Sequence, residues 1–166
     1  LGAETINKIA IACAHHEGRA YQIVHITGPK YHEAIEAELR PLPPGMTLVD
    51  YENKMAEAYA IADLVLCRAG SSTLAELTAI GKPSVLVPSP NVTDNHQEGN
   101  ARGLEDVGAA LVVVERDLNI DSTVAQIGSL LGDAPSLQRM ATSAKGQAHL
   151  DTANQVASLL AERFLS

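Results

Sequence analysis

The chain has 166 residues, of which 20 are Asp or Glu and 12 are Lys or Arg, so its formal net charge is −8. No two basic residues are adjacent, and the basic stripe that a nucleic-acid backbone attracts is missing, which excludes nucleic acid as a partner. Hydrophobic residues make up 46 % of the chain and aromatic residues 3 %, a balance typical of covered parallel sheets with cores of Ala, Val, Ile and Leu. The length fits one domain over residues 1–166.

Helical and strand-like apolar patterns alternate from residue 4 to residue 114. Apolar residues at helical spacing predict helices over 4–16, 31–39, 54–62, 73–80 and 97–107. Short apolar runs predict strands over 21–27, 46–50, 64–67, 84–87 and 109–114. Three further helices follow one another over 122–131, 136–145 and 152–163. Such alternation predicts an α/β fold, a Rossmann-like parallel sheet with helices on both faces.

The compartment is indicated by the cysteines and by the lack of long apolar stretches. Cys13 and Cys67 lie in apolar runs without the spacing of a metal or redox site, which favours core thiols in a reduced, cytoplasmic compartment. No apolar stretch approaches the roughly 18 residues of a membrane span, and we expect no signal peptide. The chain begins Leu-Gly-Ala rather than with Met, from which we expect the second half of a larger protein.

Ligands of parallel sheets bind beyond the carboxyl ends of the strands, and here this rule selects the loops 27–30, 69–73 and 88–97. The second loop carries the most informative residues, since a buried strand turns there on Gly and hydroxyl residues directly into a helix. Backbone N–H groups and the positive end of a helix dipole meet at such a turn and favour a phosphate. Glu76 follows one turn into the helix, within reach of whatever carries the phosphate. An ordinary capping turn is the alternative interpretation.

The third loop is long and polar and leads into a helix that carries His96, Gln97 and Asn100. His96 and Asn100 are four residues apart and share a helix face with Gln97 beside them. Neutral amide and imidazole groups at a helix start suit the hydroxyls of a sugar, although a solvated helix capped by Asp94 or Asn95 would look the same.

Other chemistries find little support in the sequence. The six His residues lack partners at ligand spacing, so no metal site is predicted. The G-x-S-x-G elbow, the G-x-G-x-x-G fingerprint and the P-loop are also missing, which argues against ester hydrolysis, hydride transfer and ATP hydrolysis.

Several segments together resemble the carboxyl-terminal half of the MurG family, the N-acetylglucosaminyltransferases that convert lipid I to lipid II in peptidoglycan synthesis. The most specific are CRAGSSTLAEL at 67–77, GKPSVLVPSP at 81–90 and NHQEGNARGLEDVGAA at 95–110. The resemblance continues in LGAETIN at 1–7, which looks like the helix start after the family's glycine loop, and in GPKYHE at 28–33 and YENKMAEAYAIAD at 51–63. The HQE…NAR motif is most similar to the form found in Gram-positive, Bacillus-like bacteria.

The resemblance implies a GT-B enzyme with two Rossmann-like halves, of which this half binds the donor UDP-N-acetylglucosamine (UDP-GlcNAc). Transferred position by position, Glu76 would accept hydrogen bonds from the ribose, and Tyr51 and Glu52 would hold the uracil. Gln97 and Asn100 would hold the sugar ring, with His96 beside them. The residues that would meet the diphosphate are Gly70, Ser71, Ser72 and Thr73. Arg68 is the family's basic residue just before the turn.

The resemblance also implies what this chain should not contain. The family's amino-terminal half carries the lipid I site, the membrane-facing patch and the proposed general base, so no catalytic residue is expected in this chain and no activity without that half. The full protein is expected on the cytoplasmic face of the membrane and uses no cofactor or metal. Two other interpretations stay open: another GT-B transferase for UDP-sugars, and a non-catalytic module that binds nucleotide sugars.

Overall fold

A computed structural model describes residues 4–90 and 95–148 of the chain. The helices are α1 (Glu4–His15), α2 (Pro29–Glu38), α3 (Met55–Ile61), α4 (Ser71–Ile80), α5 (His96–Asp106), α6 (Ile120–Leu131) and α7 (Ala134–Gly146). The strands are β1 (Ile23–Ile26), β2 (Met46–Val49), β3 (Val65–Cys67), β4 (Ser84–Leu86) and β5 (Ala110–Val112), and a short 3-10 helix spans Glu115–Asp117.

The predicted elements within these ranges are confirmed in type and order, and their ends differ by at most two residues. Helix α4 begins at Ser71 rather than at residue 73, so two residues predicted as turn belong to the first helical turn. The predicted helix over 152–163 lies outside the described residues. None of the described helices is both long and apolar enough to cross a membrane.

All described strand pairs are parallel, as predicted, and they form two sheets rather than one. Strands β1 and β2 pair in one sheet, and β3, β4 and β5 pair in that order in the other. In the second sheet the last residues of the three strands, Cys67, Leu86 and Val112, lie in register. The segments that follow these strands therefore leave the sheet at one edge.

Helices cover both faces of the three-stranded sheet, as the alternation predicts. Val85 and Leu86 of the central strand are both fully buried, although consecutive strand residues point to opposite faces. Val85 belongs to an apolar cluster with Ile9 of α1 and Ile127 of α6. Leu86 belongs to a second cluster with Leu77 of α4 and with Ala101 of α5. The first cluster also receives Ile23 from β1, so the two sheets share this part of the core.

Candidate functional site

The turn from β3 into α4 presents the backbone amides that the sequence predicts for a phosphate. Gly70 precedes the helix in an extended conformation and has no side chain to cap it. The first helical hydrogen bond runs from the Leu74 N–H to the Gly70 carbonyl over 2.9 Å. The N–H groups of Ser71, Ser72 and Thr73 precede that bond, so they have no partner within the helix. Ser71 and Ser72 are exposed residues, so this turn lies at the surface of the protein.

Glu76 lies exposed one turn further along α4. Its Oε2 accepts a hydrogen bond of 3.2 Å from the hydroxyl of Tyr59, a half-buried residue of α3. Burial raises the pKa of Tyr59 to about 12, and the negative charge of Glu76 adds to this shift. The phenol therefore stays protonated, and its donated bond orients the carboxylate.

Arg68, between the end of β3 and the turn, joins three segments of the sheet edge. Its Nη1 donates to the carbonyls of Val87 and Pro88, at 3.1 and 3.3 Å, beyond the end of β4. The same nitrogen lies 2.6 Å from Glu115 Oε1, in an ion pair held by charge more than by hydrogen-bond alignment. These contacts assign Arg68 a role in holding the strand ends together, while its contact with a ligand stays a prediction.

Helix α5 begins beside the segment that leaves β4. Gln97 is half-buried, and its Oε1 accepts a 2.9 Å hydrogen bond from the Ser89 N–H, which holds the loop against the helix. Because the oxygen is engaged, the amide Nε2 is the group that Gln97 can offer a sugar. His96 and Asn100 are exposed on the same helix.

The predicted capping of α5 by the Asn95 side chain is wrong. Asn95 does occupy the position before the helix, in the left-handed conformation with φ 52°. Its side chain instead donates a 2.7 Å hydrogen bond to Glu98 Oε2. Side-chain caps are typically extended in their backbone, and the left-handed conformation of Asn95 differs from that geometry. Asp94, the other predicted cap, lies outside the described residues.

Tyr51 and Glu52, predicted at the uracil, follow the end of β2 in the two-stranded sheet. Strand pairing therefore does not place them beside the turns of β3 and β4. Tyr51 is 62 % exposed, and Glu52 accepts a 2.6 Å hydrogen bond from the Lys54 N–H. The aromatic ring is available for stacking.

An ion-pair network at the start of α5 was not found by sequence reasoning. Arg116 donates two hydrogen bonds to Glu98, of 3.0 and 2.9 Å, from the 3-10 helix after β5. Because of these bonds, and then of the bond from Asn95, the pKa of the Glu98 carboxyl lies below its ordinary value. Arg102 pairs with Glu105 on the same helix, whose other oxygen accepts from the Val112 N–H at 3.1 Å. Only the helical spacing of Glu98, Arg102 and Glu105 is visible in the sequence.

A buried polar chain lies at the carboxyl end of β1. Asn7 donates to the Thr27 carbonyl over 3.4 Å, so its oxygen accepts from His25 Nε2 at 2.9 Å, and the neutral imidazole carries its proton on that nitrogen. Thr27 lies within hydrogen-bonding distance of His32 Nδ1 and of the Val49 carbonyl, both at 3.2 Å. Burial lowers the pKa of His25 to about 4.

The buried neutral His25 should therefore make the protein less stable as the pH falls. The unfolded imidazole binds a proton below about pH 6.5, whereas the folded one resists protonation down to about pH 4. The free energy of unfolding therefore falls as the pH is lowered from about 6.5 to about 4. We expect urea denaturation to show that His25→Gln loses less stability than wild type between pH 7.5 and pH 4.5, by up to about 3 kcal/mol. Carboxylates titrate in both proteins and cancel in this comparison. Equal losses would contradict a neutral buried His25.

Within residues 4–90 and 95–148, no three His, Cys, Asp or Glu side chains are grouped so that they could hold a metal ion. Both cysteines are free thiols, Cys13 buried and Cys67 half-buried.

The structure is a parallel α/β domain that carries a glycine–serine turn at the carboxyl ends of its strands and a polar helix start beside it. The class of protein is therefore a Rossmann-like half of a GT-B glycosyltransferase. The chain belongs to the family described as glycosyltransferase family 28 C-terminal domain, which matches residues 1–156. The predicted MurG-like identity and the predicted fold class are thereby confirmed.

Two curated relatives carry the name UDP-N-acetylglucosamine–N-acetylmuramyl-(pentapeptide) pyrophosphoryl-undecaprenol N-acetylglucosamine transferase. The Bacillus cereus protein (transferase 1) is 39 % identical over 158 residues, 93 % of this chain and 43 % of its own length. The Acetivibrio thermocellus protein is 42 % identical over 147 residues, 87 % of this chain and 40 % of its own length. The crystal structure of Acinetobacter baumannii MurG superposes with a TM-score of 0.86 at 31 % identity, covering 98 % of this chain and 49 % of that one. The chain thus spans less than half the length of these relatives.

Proposed function

We propose that this chain is the donor half of an inverting N-acetylglucosaminyltransferase and that it binds UDP-GlcNAc at the edge where β3, β4 and β5 end. One observation carries the proposal: the amides of Ser71–Thr73, which have no partner within the helix, lie one turn from the carboxylate of Glu76, which Tyr59 orients. Phosphate and ribose are adjacent in a nucleotide, and these two kinds of group bind them. The names of the curated relatives support the choice of UDP-GlcNAc.

The diphosphate would lie against the first turn of α4. Three backbone donors and the positive end of the helix dipole meet there, and Gly70 lets the ligand approach without a side chain in the way. As the bond between the sugar and the diphosphate breaks, negative charge grows on the leaving UDP. Fixed dipoles stabilise this charge without needing to reorient, so we expect no metal or cofactor to be required.

The sugar would lie toward the start of α5. Gln97 is held by its bond from Ser89, so its Nε2 is a fixed donor for a ring hydroxyl. Asn100 and His96 present polar groups from the same helix. On this proposal Tyr51 stacks on uracil while Glu52 contributes chiefly its backbone, and Arg68 acts mainly by holding the turn.

The complete reaction requires a second domain. There the hydroxyl of lipid I, deprotonated by a base outside this chain, attacks the anomeric carbon, inverts it and expels UDP. We place the full protein at the cytoplasmic face of the membrane, where the lipid acceptor is found. This chain alone binds the donor and transfers nothing.

Calorimetric titration with UDP, UDP-GlcNAc and UDP-GalNAc tests the proposal. We expect most of the affinity to come from UDP, with a preference for the GlcNAc form. The same titration of a longer protein, which adds the glycine loop that the family is expected to carry before this half, is the control. If neither binds UDP at millimolar concentration, the donor site is refuted; binding of UDP without preference among sugars would favour another GT-B transferase.

Gln97 should affect sugar choice more than nucleotide affinity. Gln97→Glu keeps an oxygen for the Ser89 N–H but removes the amide donor, whereas Gln97→Ala removes both. We expect both variants to reduce the preference for UDP-GlcNAc over UDP-GalNAc by about tenfold, the loss of one good hydrogen bond, while UDP binds to Gln97→Glu as to wild type. Equal effects on UDP and on both sugars would contradict a sugar-facing amide.

A further inference from the structure

Two adjacent residues after β5 bind to opposite parts of the proposed donor site. Glu115 Oε1 lies 2.6 Å from Nη1 of Arg68, two residues before the turn that begins at Gly70. Arg116 donates its two parallel hydrogen bonds to Glu98, in the first turn of α5. The two ion pairs thus leave one short 3-10 helix in different directions.

We propose that Glu115 and Arg116 are positioning residues that hold the diphosphate turn and the sugar helix at a set distance, so that recognition of the sugar depends on a pair that never touches it. This inference rests on the proposed function, since it assigns the two turns to the two parts of one ligand. Arg116 acts through Glu98 and Glu115 acts through Arg68.

The Arg116–Glu98 pair has the geometry that makes an ion pair effective. A guanidinium that donates two parallel bonds fixes the orientation of its partner as well as the distance, which a single lysine contact does not. The Glu98 side chain is 13 % exposed while that of Arg116 is 63 % exposed, so the pair is shielded from water on the side of the carboxylate. The pair between Glu4 and Lys8 has side chains 67 % and 65 % exposed and is of the kind that contributes little.

Glu98 extends the effect of Arg116 to the residues that enter α5. Its Oε2 also accepts from Asn95, which occupies the left-handed position before the helix. Arg116, Glu98 and Asn95 form a chain of hydrogen bonds that sets the direction in which His96 and Gln97 leave the loop. Without Arg116 the first residues of α5 would no longer be held in this direction, while the buried Ala101 keeps the rest of the helix packed on the core.

Glu115 contributes to the opposite side. Its ion pair holds the guanidinium that bridges the carbonyls of Val87 and Pro88, so it fixes the end of β4 relative to the turn. Side-chain exposures of 21 % for Arg68 and 23 % for Glu115 place the pair away from bulk water. Loss of the Glu115 charge should therefore disturb the diphosphate turn rather than the sugar helix.

The test compares Arg116→Gln, Glu98→Gln and their double variant with Arg139→Gln, the same change at an exposed residue of α7. We expect Arg116→Gln to weaken UDP-GlcNAc about tenfold while UDP binds as to wild type, and the double variant to be no worse than either single one, because the two residues act as one unit. Arg116→Lys keeps the charge but not the two parallel hydrogen bonds, so its affinity for UDP-GlcNAc should lie between those of wild type and Arg116→Gln. Arg139→Gln should bind both ligands as wild type does.

A second measurement needs no ligand. Hydrogen exchange at the Ser89 amide, which is bonded to Gln97 at the start of α5, should speed up in Arg116→Gln and not in Arg139→Gln. Glu115→Gln should instead speed exchange at the amides of Leu74 and Val87, which are bonded to the carbonyls of Gly70 and Cys67. Unchanged exchange in both variants would overturn the coupling, and so would equal weakening of UDP and UDP-GlcNAc by Arg116→Gln. If wild type binds no UDP but exchange responds as expected, the proposed function fails while the mechanical link between the two turns stands.

Discussion

Replacing Glu76 by alanine is expected to weaken the binding of UDP by roughly 1–3 kcal/mol, the cost of losing charge-assisted hydrogen bonds to a ribose. The carboxylate is exposed and held from behind by Tyr59, so its free lone pairs are directed at solvent where the ligand would lie. Because the side chain contributes no buried contact, the free energy of unfolding should change little. Calorimetric titration of the folded variant measures the first effect, and urea denaturation the second.

Two controls sharpen the Glu76 experiment. Glu38→Ala removes another exposed carboxylate, from the last turn of α2. Because the helices of this fold run back from the carboxyl ends of the strands, this residue lies away from the proposed site, and UDP affinity should not change. Tyr59→Phe removes only the hydroxyl that orients Glu76 and should cost about 1 kcal/mol of UDP affinity, less than the alanine variant. Wild-type affinity in Glu76→Ala would remove Glu76 from the site.

Replacing the neighbouring Leu77 by alanine should have the opposite profile. Leu77 is 1 % exposed and packs with Leu86 and Ala101 beneath the proposed site. Truncation leaves a cavity between α4, the sheet and α5, and we expect a loss of roughly 2–5 kcal/mol in the free energy of unfolding, measured by urea denaturation. The fraction that stays folded should bind UDP with nearly wild-type affinity, because no polar group of the site is touched.

Ile80 provides the matched control on the same helix. Its side chain is 50 % exposed, so Ile80→Ala removes little buried surface and should cost well under the Leu77 value, about 1 kcal/mol or less. Similar losses from the two variants would mean that α4 is not packed on the sheet through Leu77. The contrast between Glu76 and Leu77 separates binding from stability at adjacent positions of one helix.

Much of the fold could be predicted from short-range patterns. The run that contains Val85 and Leu86 is apolar at consecutive positions, which predicts a strand covered on both faces, and the structure buries both residues completely. The helix that begins near Ser71 follows from the glycine before it and from the apolar spacing after it. These features depend on neighbours within about one turn or one strand, so local periodicity is sufficient.

The candidate site was predicted in part. The turn at Gly70–Thr73 and the polar start of α5 are local features, and the parallel topology places both at one edge. The contacts that orient them were not predictable, because they join distant parts of the chain. Tyr59 lies 17 residues from Glu76, Arg116 lies 18 residues from Glu98, and the ion-pair partner of Arg68 comes from beyond β5. Exposed polar residues have many possible partners, and composition does not choose among them.

The division follows the range of the forces involved. Local sequence patterns are sufficient to predict the order of elements, the parallel sheets and the turn that favours a phosphate. Hydrophobic periodicity and helix-end geometry involve residues that are close in sequence. The contacts of individual polar side chains were set by tertiary packing. Arg68 binds the carbonyl of Val87 beyond β4, the Asn95 side chain donates to Glu98 instead of capping the helix, and the Gln97 oxygen accepts from the loop at Ser89. Hydrogen bonds are short and directional, so their partners emerge only once the chain has brought distant segments within about 3 Å.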